Sequence, residues 1–159
     1  MSDMNDKPGH LARRFQQIAV AVFHAEVGAV GSDLTPVQYA ALAEVAGHPG
    51  MDQATLAGRI ALDRATITGV VDRLEKKGYL GREVKDEDRR ARVLRITDEG
   101  RRVLDTIEPA VDAAQKAMLA GLNAAEAAEF MRLLAKAIAA ANDLSRAPLR
   151  GATSEERAE

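Results

Sequence analysis

Three residues, Ala61 to Asp63, separate two helical patterns in the stretch "QATLAGRIALDRATITGVVDRLEKKG", residues 53–78. Asp52 is placed to cap the first helix, from Gln53 to about Ile60. Asp63 caps the second, from Arg64 to Lys77, and Gly78 is its stop. Two capped helices joined this tightly have the spacing of a helix-turn-helix. Leu56, Ile60, Leu62, Ile67 and Val70 would form the small core where they cross, with Ala57 small enough for close packing. Ala61 stands in the turn, where glycine is common. A generic amphipathic helix pair shares this spacing, so the exposed face has to discriminate.

That face points to nucleic acid. The first turns of the second helix offer Arg64, Thr66, Thr68 and Gly69, with Asp72 and Arg73 further along. Short hydroxyls, an arginine and a glycine let a helix end sit deep in a major groove, where bulky apolar residues would not. Threonine is a mediocre helix former, so two of them here call for a reason other than helix stability.

Two short strand candidates follow, Gly81–Lys85 and Arg92–Ile96, joined by a loop that contains "DEDRRAR". A helix-turn-helix followed by a two-stranded hairpin is a winged helix. Arg89 and Arg90 fall at the tip and Arg92 just behind it, suited to phosphates or a minor groove. Asp86 and Asp88 would repel phosphate if they faced it. Their expected role is to hold the arginines by charge-assisted hydrogen bonds.

The charge distribution agrees. The chain is −2 overall, yet residues 53–104 carry 13 Lys/Arg against 9 Asp/Glu, a balance of +4 that leaves −6 for the rest. Basic charge is thus concentrated in the segment with the two motifs.

The remaining segments read as helices. Leu11, Phe15, Ile18, Val22 and Val27 give helical periodicity from about His10 to Val30. Thr35, Pro36 and Gln38 open a helix with a capping box that runs to about Ala46. Thr97 caps a long helix with Asp98 and Glu99 in its first turn, which Pro109 should kink or break. Asn123 and Glu126 form a second capping box for a last helix to about Leu144. Residues 1–8 and 147–159 are polar and expected to be disordered.

At 159 residues the chain is one domain with room for an oligomerisation extension. Only 3% of it is aromatic, so aliphatic residues must fill the core. The absence of cysteine excludes disulfides and thiolate metal sites. His10, His24 and His48 are too far apart in sequence for a local metal motif, so no metal and no cofactor are expected. There is no nucleophile elbow, P-loop or paired-carboxylate signature, which argues against an enzyme. No signal peptide or transmembrane stretch is evident, so the expected location is the cytoplasm, with no membrane partner.

The stretch "LDRATITGVVDRLEKKGYLGREVKDEDRRARVLRITDEG" resembles, almost residue for residue, the recognition helix and wing of the MarR family of bacterial transcription regulators. The likeness includes the D-x-R element at Asp88–Arg90 and covers about Leu34 to Leu104. It implies a mainly α fold with a small β-hairpin wing: a winged helix-turn-helix over 34–104, flanked by dimerisation helices at 9–31 and 105–146. It also implies a homodimer on double-stranded DNA, with Leu11, Phe15, Ile18, Val22, Leu119, Leu122, Phe130, Leu133, Leu134 and Ile138 supplying much of the interface.

Regulators of this kind are commonly released from DNA by small aromatic acids. His10, Arg14 and Gln17 share a face of the first helix, with His24 further along. Phe15, Phe23 and Tyr39 are suited to wall a ring. The expected ligand-binding residues are therefore His10, Arg14, Phe15, Phe23, His24 and Tyr39, for a small aromatic carboxylate such as a hydroxylated nicotinate-like acid. The function this implies is a ligand-responsive repressor on an inverted repeat. A winged-helix protein-interaction module and a ligand-independent regulator stay open as alternatives.

Overall fold

The computed structural model describes residues 3–85 and 88–151, with the side chains of 88–91 outside the description. Among the described residues, six α-helices and one hairpin run in the order α1 (Pro8–Ala29), α2 (Pro36–Gly47), α3 (Gln53–Arg59), α4 (Arg64–Lys76), β1 (Leu80–Lys85), β2 (Asp88–Ile96), α5 (Asp98–Met118) and α6 (Ala124–Ala141). This is a mainly helical winged helix-turn-helix.

The caps read from the sequence do the work of starting helices. Thr35 Oγ1 accepts from the Gln38 amide while Gln38 Oε1 accepts from the Thr35 amide, both at 3.2 Å. Asp52 accepts from the Thr55 amide at 2.7 Å and Asp63 from the Thr66 amide at 2.8 Å. Asn123 and Glu126 reciprocate at 3.0 and 2.9 Å. Each bond satisfies an amide that the first turn leaves without a partner.

Ala61 takes φ +55° in the α3–α4 turn. That left-handed conformation is why a glycine is common at this point of the motif; alanine adopts it at a cost of about 1 kcal/mol.

The core joins the helix-turn-helix to its supports. Leu34, Leu42, Leu56, Ile67, Leu74, Leu94 and Ile107 are all fully buried. Of the five residues predicted for the crossing, Leu56, Ile67 and Val70 are buried, and Ile60 and Leu62 pack partly buried against them.

β1 and β2 pair antiparallel, from Leu80 opposite Ile96 to Val84 opposite Arg92, with a register shift between Val84 and Lys85. The other edge of β2 is also used: Gly50 N donates to Leu94 O at 3.1 Å, and Leu94 N to Met51 O at 2.8 Å. Gly100 anchors the start of α5, since a Cβ there would sit 2.3 Å from the Tyr79 carbonyl oxygen.

Four expectations are corrected. Pro109 does not break α5, which runs from Asp98 to Met118. Proline removes one backbone donor, and the packing of Ile107, Ala110, Val111 and Ala114 outweighs that loss. The expected disorder at 1–8 does not hold for its described part: Met4–Asp6 forms a 3-10 turn capped by Asp3, and α1 starts at Pro8. Nor does it hold for Ala147 to Gly151, which fold back on α3, the Arg150 amide donating to Gly58 O at 2.7 Å. β2 also begins earlier than the strand read from sequence, at Asp88 rather than Arg92.

α6 has no buried residue. Leu133 and Ile138 on α6, and Leu11 and Ile18 on α1, are 48–59% exposed. Among the described residues, no helix is long and apolar enough to cross a membrane.

Candidate nucleic-acid interface

α4 separates its two faces cleanly. Ile67, Val70, Val71 and Leu74 are buried, while Arg64, Thr66, Thr68 and Arg73 are exposed and Gly69 is half-buried. Periodicity of 3.6 residues alone produces that division, with the apolar stripe on α2 and α3 and the polar one turned outward.

The two threonines are held differently. Thr66 Oγ1 donates to Asp63 Oδ2 at 3.0 Å, within the N-terminal cap. Thr68 Oγ1 donates to the Arg64 carbonyl at 2.8 Å and accepts from Gln53 Nε2 at 2.9 Å.

A second anchor comes from the wing. Arg82 on β1 donates to Asp72 Oδ1 at 2.6 Å, to Gln53 Oε1 at 3.2 Å, and to Glu75. One guanidinium thereby ties β1 to both helices of the motif. Its pKa is raised, first by the hydrogen bond to Asp72, so it stays a fixed cation. Gln53 and Arg82 were absent from the residues expected from sequence. The available signal was the pair Asp72 and Glu75, like charges three apart on α4 whose repulsion a shared cation relieves.

The caps carry a charge signature. Hydrogen bonds from the Thr55 and Thr66 amides hold the Asp52 and Asp63 carboxyls below the usual carboxylate pKa. Both stay ionised at the positive end of a helix dipole.

Arg92 is exposed on β2 opposite Val84. Asp86 and the side chains of Asp88, Arg89 and Arg90 lie outside the described residues; the backbone of 88–90 belongs to β2.

The residues expected to bind a ligand fall into two groups. Arg14 and Phe15 line a cavity of about 620 Å³ between α1, the end of α5 and the start of α6, with Leu11, Leu119, Leu122 and Leu134. Phe15 stands edge-on to Phe130 at 5.4 Å. Among the described residues, Arg14 is the one charged residue in that lining. Phe23 and Tyr39 sit together elsewhere, ring centres 5.9 Å apart, with His24 at 6.1 Å from Phe23. Burial, then the charges of Glu108 and Asp112, push the Tyr39 hydroxyl pKa up, so this second group has acidic neighbours. His10 is half-buried and outside the cavity lining. Gln17 accepts from Arg13 at 3.0 Å rather than joining Arg14. The single ligand site expected from the sequence is therefore split in two along α1.

Known proteins place this geometry. The MarR family model matches residues 34–91. The HTH-type transcriptional repressor NicR of Pseudomonas putida is 31% identical over 136 residues, 86% of this chain and 85% of that protein. The PcaV transcriptional regulator of Streptomyces coelicolor, solved with its natural ligand, superposes with a TM-score of 0.80 at 38% identity, over 89% of this chain and 98% of that one. BpsR of Bordetella bronchiseptica, whose DNA binding is regulated by 6-hydroxynicotinic acid, gives 0.79 at 28% identity, over 86% and 96%. Homologues and fold are those of DNA-binding transcription regulators rather than enzymes. The winged helix built from α2 to β2, together with these likenesses, makes this chain a member of the MarR family.

Proposed function

We propose that the chain is a transcriptional repressor that binds an inverted repeat as a homodimer and is released by a small aromatic acid. The observation that carries the DNA half is the exposed polar face of α4, with Arg64, Thr66, Thr68 and Arg73 on it. Gly69 lets that face approach closely, and Arg89, Arg90 and Arg92 on the wing supply phosphate or minor-groove contacts. In this reading 34–104 is the DNA-binding domain, and 9–31 with 105–146 form the dimer layer.

The dimer is supported by the apolar surface that α1 and α6 leave uncovered. A surface of that kind on two terminal helices is what a second copy covers.

The ligand reading is supported by Arg14. A carboxylate entering the cavity meets one cation in an apolar surround, where a charge-assisted bond is strongest. Phe15 and Phe130 offer ring faces and edges to an aromatic body. A second copy over α1 and α6 would roof this cavity and leave a partly dry cleft. The acid that regulates BpsR, a hydroxylated pyridine carboxylic acid, fits that chemistry. Phe23, His24 and Tyr39 are a weaker place for an acid, because Glu108 and Asp112 bear on Tyr39; His10 would act from the rim.

Sequencing the DNA that the purified protein retains, with and without a panel of aromatic acids, tests the reading. Recovery of one inverted repeat, lost with one acid, is expected. Recovery of no preferred sequence would overturn it in favour of a protein-interaction module. An inverted repeat retained under every acid would leave a ligand-independent regulator.

A further inference from the structure

Gly58 lies inside α3, where glycine weakens a helix and nothing in the turn requires it. What stands against it is the chain after α6. The three nearest atoms to a Cβ built on Gly58 all belong to Arg150, the first at 3.2 Å. The Arg150 amide donates to the Gly58 carbonyl at 2.7 Å, closer than the 3.4 Å at which the Ala61 amide reaches the same oxygen. Arg59 Nη1 donates to the Gly151 carbonyl at 3.1 Å.

The other end of this segment is fixed too. Asn142, just after α6, donates from Nδ2 to the Leu149 carbonyl at 3.2 Å and accepts from the Leu149 amide at 2.8 Å. Residues 147–149 are half-buried. Arg59 itself is braced against α2 through Glu44 and through His48 Nε2 at 2.9 Å.

We infer that residues 145–151 are a strap that ties the end of α6 to the first helix of the helix-turn-helix, with Gly58 as its seat and Arg59 as its clamp. The strap holds α3, and α4 with it, in one orientation relative to α6. Its functional half rests on the reading of α4 as the DNA-reading helix. A recognition helix that is held in place beforehand loses less freedom when it binds.

Two full-length variants break the seat from opposite sides. Gly58→Leu fills the space that Arg150 occupies. Arg150→Pro removes the donated hydrogen and leaves the seat open. Trypsin cleavage after Arg146, followed by mass spectrometry without DNA, reads the strap itself. Both variants are expected to be cut several-fold faster than the wild type under native conditions, because a docked segment must open before it is cleaved. On the DNA recovered by selection, both should bind about three- to tenfold more weakly with an unchanged salt slope, since no phosphate contact is touched. The double variant should lose no more than the worse single one, because both remove the same contact. Unchanged cleavage in both variants overturns the strap. Faster cleavage with unchanged DNA affinity, or additive losses in the double variant, overturns its positioning role. A wild type that binds no DNA refutes the function proposed above and with it the positioning role, while cleavage still decides the strap.

Discussion

Gln53 and Thr68 stand on different helices, and the amide of one donates to the hydroxyl of the other at 2.9 Å. Thr68 Oγ1 has already given its proton to the Arg64 carbonyl. Its hydroxyl is therefore engaged inside the protein, whereas Thr66 is bonded only within its own cap.

The two threonines should accordingly respond differently to mutation. Thr66→Ala is expected to relax base preference at one position, by about 1–3 kcal/mol for a good contact. Thr68→Val should weaken all sequences alike by loosening α4 against α3. Selection sequencing of each variant checks this, and a Thr68→Val protein with altered base preference would reverse the assignment.

Arg90→Ala should weaken binding to every sequence. If Arg90 touches phosphate, the slope of log affinity against log salt falls by about 0.9. A minor-groove contact would show instead as a lost preference for A·T pairs. Unchanged affinity in a folded variant would remove the wing from the interface.

Ile138 is 59% exposed on α6. A monomer would accept Ile138→Asp with little change in stability. A dimer packed through α6 would not, because an unpaired carboxylate would be buried. Sedimentation should show a dimer for the wild type and a shift to monomer for the variant. A folded wild-type monomer at micromolar concentration would count decisively against the dimer.

Arg14→Ala is expected to leave DNA binding nearly intact and to abolish release by the acid that releases the wild type. Release requires that the acid bind the DNA-free form better, and the lost cation removes that difference. Calorimetry decides: unchanged affinity for that acid would take Arg14 out of the site.

Acid should loosen the helix-turn-helix through its caps. The Asp52 and Asp63 carboxyls are depressed in the fold by the Thr55 and Thr66 amides. Their stabilisation is complete above the unfolded carboxyl pKa, about 4, and is lost as pH falls through the lower folded values. The Thr55 and Thr66 amide resonances should titrate with midpoints below 3.8, the ordinary value for aspartate. Asp63→Asn should keep the cap and abolish that titration at Thr66. Midpoints at or above the ordinary value would contradict the cap geometry.

How far the sequence could be read follows from the range of each interaction. Asp52, Asp63, Thr97 and the Asn123–Glu126 pair act within a turn of their own helix, and all are legible in order along the chain. The division of α4 into two faces is equally local. Arg82 is not: its three partners lie 7 to 29 residues away and become neighbours only once the hairpin folds onto α3 and α4. The strap was missed for the same reason, since Gly58 and Arg150 are remote in sequence. At Pro109 the sequence left a kink and a break both open, and the local penalty alone could not show that packing would carry the helix through. The six residues expected to form one ligand site share a helix or a chemistry, but helical spacing could not show that Arg14 lines a cavity while Phe23 is buried in the core away from it.

The unbroken α5 gives the molecule a stiff rod about 30 Å long, seated at Gly100 beside the wing and ending at Met118 beside the Arg14 cavity. Because Gly100 lies against the Tyr79 carbonyl, that end has little room to slide and is the natural pivot for any tilt. A tilt of roughly 5° about that pivot sweeps the Met118 end through on the order of 3 Å. Run in reverse, a wedge a few ångströms thick at the cavity would be geared down to a small rotation of the winged helix. Two such rotations, one in each copy, would put the paired reading helices out of step with successive turns of DNA.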